Sequence, residues 1–384
     1  MTIWADESTA GAFEALGSDF ATRRGVDVEI VTKPFPSIRS DVLGSVATGN
    51  LPDLFVGAHA WTGALLAAGA IAPVRGIPLA RQAEFVQPAL EAFRLDGTLY
   101  GVPYGGESIA LWVNVELVGP NPPETFEQLL DGCDQLGVEV VCLAVAGGAG
   151  VPEAYYQYPF VSAFGGSILR YETGVGYFAD RAGIDEPESI DASIYLAALD
   201  RGDYLPSLDY LTAKQRFLEG EVAYWLTGFW EAEDIEAAAE SRGFSVTVTP
   251  VPPINGVAAR SFIDAAGVFL GADASTAAKI FMTDWVATGE AMISLAPGPP
   301  LFPTHEQAAG RVTGPLRIPF VAAMRQAVPT PNIATMSDEV WDAWGSALTA
   351  IRDEGADPET ALRDAAKLIR TILGIAQPEP SNDD

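Results

Sequence analysis

Cysteine, histidine and lysine are all scarce in this 384-residue chain. The two cysteines, Cys133 and Cys142, exclude a multi-cysteine metal cluster and a disulfide framework. A bond between them is compatible with the short turn that separates them, and so are two buried thiols. Two histidines, His59 and His305, exclude a histidine-rich metal centre, and no H-E-x-x-H or C-x-x-C motif occurs. The four lysines, Lys33, Lys214, Lys279 and Lys367, form no G-x-x-x-x-G-K-[ST] phosphate loop, and there is no G-x-S-x-G nucleophile elbow. The run Ala146-Gly147-Gly148-Ala149-Gly150 lacks the spacing of a dinucleotide loop and reads as a plain turn. No stretch of eighteen apolar residues exists to span a bilayer, and no internal repeat is visible.

What is abundant is acid. Fifty-one aspartates and glutamates face 22 basic residues, for a net charge of −29. Such a surface repels phosphate backbones, so nucleic acid is excluded as a partner. With 48% hydrophobic residues the chain can bury a large core, and its length suggests two domains.

The N-terminal part alternates short apolar strands with helices, the pattern of an open, largely parallel α/β sheet. Residues 2–5 read as a first strand closed by the polar Asp6, Glu7 and Ser8, which can cap a helix. Ala12, Phe13, Leu16 and Phe20 form a helical stripe that stops at Gly25. Strands over 26–31 and 54–56 flank a helix over 37–47. Ligands bind such sheets at the carboxyl ends of strands, where Asp6, Glu7, His59 and Trp61 fall. The β-prone stretch 100–115 is too long for one ordinary strand and reads as a crossing between lobes. Residues 261–270 and the proline-rich 297–303 are the other candidate crossings. Helices are expected over 122–137, 190–201, 209–220, 231–241, 276–288, 316–327, 338–351 and 358–373.

Aromatic side chains cluster at loops and helix starts: Trp61, Tyr155, Tyr156, Tyr158, Trp230, Trp341 and Trp344. A sugar ring has an apolar C–H face and a hydroxyl rim, so stacked aromatics beside Asp, Glu, Arg or His make a carbohydrate site. The bland alternative for each ring is core packing. It is preferred for Trp225, inside the apolar strand 222–226, and for Trp285, on a helix face with Phe281. Trp4 is read as first-strand core or, equally, as reaching the cleft, and Trp344 as core or rim.

Six segments, in order along the chain, carry a family resemblance. Asn50-Leu51-Pro52-Asp53 followed by His59 resembles the "PD…AHD" segment of the maltose/maltodextrin-binding proteins of ABC importers. Gly97-Thr98-Leu99-Tyr100-Gly101-Val102-Pro103 resembles their "GKLYGVP" hairpin, and Glu107 to Asn114 their following crossing. Pro122-Pro123-Glu124-Thr125-Phe126-Glu127 is similar to "PPKTWEE", Glu219 to Trp230 to "KGEAAM…GPW", and Pro331-Asn332-Ile333 to Trp341 to "PNI…M…W".

The resemblance implies a two-lobed periplasmic-binding-protein fold of the α/β class, each lobe an open mostly parallel sheet flanked by helices, joined by three hinge crossings. The implied lobes are 1–108 with 262–312, and 109–261 with 313–376, followed by a flexible tail, 377–384. An oligosaccharide held in the interlobe cleft would close the hinge and pass to membrane permease subunits. Carried over by position, Tyr155, Trp230 and Trp341 would stack on sugar, and Glu107 and Glu153 would bind hydroxyls. Arg39 approaches the same cleft, with Asp6, Glu7 and Thr9 at the first-strand loop and His59 and Trp61 beyond. Where the family places a sugar-binding aspartate after the histidine, this chain has Ala60, then Trp61. Losing one charge-assisted hydrogen bond costs about 1.5–3 kcal/mol, so the expected ligand widens to α-glucosidic, cyclic or pseudo-oligosaccharides.

The expectation is therefore a monomeric binding protein, not an enzyme, with no cofactor and no metal. It would work at the cell surface or in the periplasm, its leader or lipid anchor removed ahead of Met1. The alternatives are a binding protein for trehalose, galactose or a galactoside, a glycoside hydrolase using Glu107 and Glu153, and a cytosolic interaction protein.

Overall fold

The computed structural model describes residues 1–150, 153–296 and 298–377. They form two compact units. Unit 1 comprises Met1–Ser108, Glu172–Tyr177 and Phe262–Ala334, and unit 2 comprises Ile109–Tyr171, Phe178–Ser261 and Thr335–Asp384, of which 378–384 lie outside the described residues. The expected tail 377–384 is therefore described only at Gln377.

In unit 1 the strand Thr2–Ala5 lies between Glu29–Thr32 and Leu54–Ala58, parallel to both. Leu54–Ala58 then pairs antiparallel with Phe262–Gly271, which pairs antiparallel in turn with the first part of Gly101–Asn114. The helix Ala10–Arg24 covers this sheet with Phe13 and Phe20 and ends at Gly25, whose φ of 67° is the left-handed C-cap the glycine predicts. Phe93 is buried against two sheet glycines: a Cβ at Gly101 or at Gly267 would meet its ring at 2.3 Å. Phe269 stacks beside it at 5.2 Å and on Phe55 at 5.4 Å, closing the core.

In unit 2 the remainder of Gly101–Asn114 pairs antiparallel with Val222–Gly228 and with Val246–Thr249, and Val141–Ala144 runs parallel to Val222–Gly228. Trp225 and Trp112 are cross-strand partners and both are fully buried, as the core reading of Trp225 expects. Phe126 meets Phe160 edge-on at 5.6 Å on the helical side. The helix expected from residue 122 starts at Phe126, because Thr125 caps it by accepting from the Gln128 N–H, while Gln128 reaches back to the Glu124 N–H.

The chain passes between units at 108/109, within the long strand, and at 261/262. Apart from the short return of Glu172–Tyr177 to unit 1, the remaining passage lies at 334/335 and not in the proline-rich 297–303. Phe302–Pro303 is an edge strand of unit 1, paired with Gly106 and Gly105, and Val328–Pro329 pairs with Phe262 and Ile263. These ladders hold 313–334 in unit 1, although the sequence places them in the C-terminal lobe; Pro297 lies outside the described residues. Asn332, 2% exposed, seals the end of this stretch by donating to Ala92 O and Arg94 O. The turn of an unanticipated hairpin, residues 169–182, is also part of unit 1: Gly174 N–H donates to Glu91 and the Tyr177 hydroxyl to Pro329 O.

Cys133 and Cys142 form a disulfide between a helix end and the strand Val141–Ala144 of unit 2. Among the described residues no helix is long and apolar enough to cross a membrane.

Candidate functional site

Both units end a fully or largely buried strand in a single 3₁₀ turn that carries a half-buried tryptophan. In unit 1, Leu54–Ala58 runs into His59–Trp61. The Trp61 ring lies back over Gly57, where a Cβ would sit 2.6 Å from it, and meets Phe35 at 5.2 Å. In unit 2, Val222–Gly228 runs into Phe229–Glu231, and the Trp230 ring covers Gly228, where a Cβ would sit 2.0 Å from it. Glycine is required at both places because the ring occupies the space of a side chain.

In unit 1 the first strand delivers Asp6, as expected, but to the turn itself. Its carboxylate accepts from the Thr9 N–H and hydroxyl and from the Ser8 hydroxyl at 2.8 Å. Thr9 is 1% exposed and spends its hydroxyl on Asp6, so the expectation that it binds ligand is corrected: it fixes the turn. Glu7 is exposed beside it. Arg39 is exposed on the helix Phe35–Val46, whose first residue packs against Trp61. Trp4 is half-buried, with the Lys33 ammonium 4.1 Å from its ring centroid.

His59 is also corrected. It is 0% exposed, and both ring nitrogens are occupied by protein. Ala265 N–H donates to Nδ1 at 3.0 Å, which leaves Nε2–H to donate to the Thr330 hydroxyl at 2.9 Å, and that hydroxyl donates to Asp264 at 2.6 Å. This one-way chain makes His59 a strut between strands, with no atom left for a ligand.

Glu107 is half-buried on the long strand directly opposite Asp264. Burial and the Asp264 charge push its carboxyl up to about 7. Because the folded value lies above the ordinary one of 4.5, stability from this group is present at low pH and lost as pH rises toward 7, by at most about 3 kcal/mol. Between pH 5 and pH 8 the wild-type unfolding midpoint should therefore fall relative to that of Glu107→Gln; parallel midpoints in thermal scans at the two pH values would disprove the shift.

In unit 2 the remaining expected residues stand at the N-terminal ends of helices that pack together. Glu153 precedes the helix Ala154–Ala163, with Tyr155 in its first turn, and Trp341 lies in the first turn of Asp338–Asp353. Glu153, Tyr155, Trp230 and Trp341 are all half-buried. Burial and the neighbouring Asp342 raise the Glu153 carboxyl above its usual range. Trp341 meets the buried Trp344 at 6.0 Å, which settles Trp344 as core. Trp285, read as core, is instead half-buried in unit 1: its N–H donates to Asp19 at 2.9 Å and Arg24 lies 5.2 Å from its ring.

Two more residues complete this surface: Tyr156, one of the clustered aromatics, and Tyr210, which sequence reasoning passed over. Tyr156 packs on Tyr155 and on Tyr210, each at 5.4 Å. Tyr210 accepts from the Trp230 indole N–H at 2.8 Å and donates to Glu231 at 2.5 Å. Glu231 is 5% exposed and pairs with Lys214 at 2.7 Å. Burial and the bond to Glu231 push the Tyr210 phenol up to about 12, so it stays a donor. Tyr210 is a positioning residue for the Trp230 ring. Tyr210→Phe removes the neutral bond that holds the indole, of about 1 kcal/mol, together with the bond to Glu231, and should weaken ligand binding roughly fivefold through Trp230; an unchanged indole fluorescence and affinity would contradict that role. Buried Arg352 plays a similar part for the glycine-rich loop: it donates to Gly147 O at 3.2 Å and to Leu205 O and Pro206 O at 3.4 Å. Of that loop, 151 and 152 lie outside the described residues.

Comparison with known proteins gives a consistent picture. Residues 15–312 match the family described as bacterial extracellular solute-binding protein. A maltotriose-binding protein of Pyrococcus abyssi is 29% identical over 237 residues, which cover 59% of this chain and 48%, about half, of that relative. A galactooligosaccharide-binding protein of Bacillus subtilis is 23% identical over 390 positions, covering 96% of this chain and 88% of the relative. Among solved structures, an extracellular solute-binding protein from Staphylococcus aureus in complex with maltose superposes with a TM-score of 0.85 at 22% identity, covering 98% of both chains.

Proposed function

The chain belongs to the bacterial extracellular solute-binding proteins, and from that premise we propose that it binds an α-glucosidic oligosaccharide and delivers it to the permease of an ABC importer. The observation that carries the ligand class is the Trp230 ring, half-buried, seated on Gly228 and held by Tyr210. A ring fixed in this way offers a flat apolar face at little entropic cost, which suits the C–H face of a pyranose. Tyr155, Tyr156 and Trp341 extend the apolar surface of unit 2. Asp6, Glu7 and Glu107 in unit 1 and Glu153 in unit 2 supply hydroxyl partners, and Trp61 supplies a second stacking face where Ala60 removes a charge. The maltotriose-binding relative favours an α-glucan, and the galactooligosaccharide-binding relative makes a galactoside the alternative. The family is extracellular, and a disulfide is at home in an oxidising compartment. On this reading the protein is a monomer that hands its ligand to the permease and does no chemistry on it.

Thermal unfolding in the presence of maltotriose, a cyclodextrin, trehalose and a galacto-oligosaccharide tests this reading. A ligand bound only by the folded state adds about 2.7 kcal/mol at a hundredfold excess over Kd. A rise in midpoint with maltotriose supports the α-glucan; a rise with the galactoside alone replaces it. Release of aryl alcohol from an aryl α-glucoside, abolished in Glu107→Gln, would overturn the binding-only reading.

A further inference from the structure

Glu107 and Asp264 are an unusual pair to find facing each other. They are direct partners across the antiparallel ladder between Gly101–Asn114 and Phe262–Gly271, so their side chains share one face of the sheet. Both are half-buried. Two like charges in that arrangement repel, and the partly dry setting strengthens the repulsion.

The surroundings do not treat the two carboxyls alike. Asp264 receives the Thr330 hydroxyl at 2.6 Å, the end of the chain that starts at Ala265 N–H and runs through His59. Glu107 makes no hydrogen bond to protein among the described residues. Among the described residues no basic group pairs with it either. The facing groups are Asp264 on the neighbouring strand, Thr330 with His59 behind it, and Thr304 against Gly106 on the edge strand; on its own strand lies Tyr104, which senses Asp6. Only Asp264 among these acts electrostatically on Glu107.

We propose that Glu107 and Asp264 hold one proton between them, carried by Glu107, so that Glu107 meets an oligosaccharide as an O–H donor and Asp264 is a further residue setting its affinity. This rests on the sugar-binding reading above. The Thr330 hydroxyl donates to Asp264 and favours its charged form, which leaves the proton to the carboxyl that lacks a donor. A ligand that covers Glu107 removes more water from it and deepens its preference for the neutral acid. Sugar binding is thereby linked to proton uptake, and affinity falls as pH rises.

The first arm of the test needs no sugar. Carboxyl carbon NMR of glutamate-labelled protein, with the Glu107 signal identified by its loss in Glu107→Gln, should show a midpoint at about 7 that moves down toward the ordinary glutamate value of about 4.3 in Asp264→Asn. A Glu107 titration in the ordinary range in the wild type overturns the proposal. The second arm measures the maltotriose Kd from pH 5 to pH 9. The expected Kd is constant to pH 6 and weakens up to about a hundredfold by pH 9, following the falling neutral fraction. The break should vanish in Glu107→Gln and shift to lower pH in Asp264→Asn. A flat profile in a wild-type protein that binds maltotriose overturns the coupling. A midpoint at about 7 with no maltotriose binding at any pH supports the proton pair and refutes the α-glucan reading instead.

Discussion

Trp230→Ala should weaken maltotriose binding thirtyfold or more while unit 2 keeps its fold. The ring is half-buried rather than core, so its removal costs the fold less than a core aromatic would, and it is held by both Gly228 and Tyr210. Aromatic anchors of this kind carry about 2 kcal/mol or more of binding energy, which is the thirtyfold. Gly228→Ala sharpens the argument because it leaves Trp230 in the sequence. The added Cβ would lie 2.0 Å from the ring, so the ring must swing off its seat and lose its bond to Tyr210. Both variants should lose affinity in calorimetric titration, and Gly228→Ala should also shift the indole emission. Wild-type affinity in either variant would remove Trp230 from the site.

The second large effect concerns the disulfide. Cys133 and Cys142 are nine positions apart, so their bond closes a short loop in unit 2. By loop-closure entropy such a bond stabilises by about 2.6 kcal/mol, which corresponds to roughly 5–10 °C in the unfolding midpoint of a unit of this size. Cys133→Ala with Cys142→Ala should show that drop, and reductant should produce it in the wild type but leave the double variant unaffected. Equal midpoints before and after reduction would mean that the bond adds nothing to the native state. The spacing alone allowed a bond or two thiols; the choice depends on the helix end at Cys133 meeting the strand Val141–Ala144, which no local pattern encodes.

That contrast runs through the whole molecule. Local signals were legible. Gly25 ends its helix with the left-handed φ that its lack of a Cβ permits, the long strand Gly101–Asn114 lies where the 100–115 stretch implied a crossing, and Trp225 is core because its strand is apolar throughout. Non-local pairings were not. Asp264 faces Glu107 across 157 positions of sequence, and only the ladder register reveals it. His59 carries the residue type of a ligand group and lies at a strand end, but Ala265 and Thr330 claim both its nitrogens. Tyr210 opens a helix with ordinary polarity, and nothing near it signals that its hydroxyl would reach Trp230. The proline-rich segment 297–303 has the composition of a linker, while its Phe302 and Pro303 complete a sheet edge. The family motifs helped because they mark positions in the fold. They did not distinguish a residue that touches ligand, such as Trp230 is proposed to be, from one that braces the frame, as Asn332 does with Ala92 and Arg94.

The central claim is that this protein captures an α-glucan, and calorimetric titration with maltotriose at pH 6 tests it most directly. The account predicts one saturable site with a dissociation constant in the micromolar range or tighter, about −8 kcal/mol or better. The heat-capacity change should be negative, from sugar C–H faces buried on aromatic rings. No heat with maltotriose, beside clear saturation with a galacto-oligosaccharide, would contradict it.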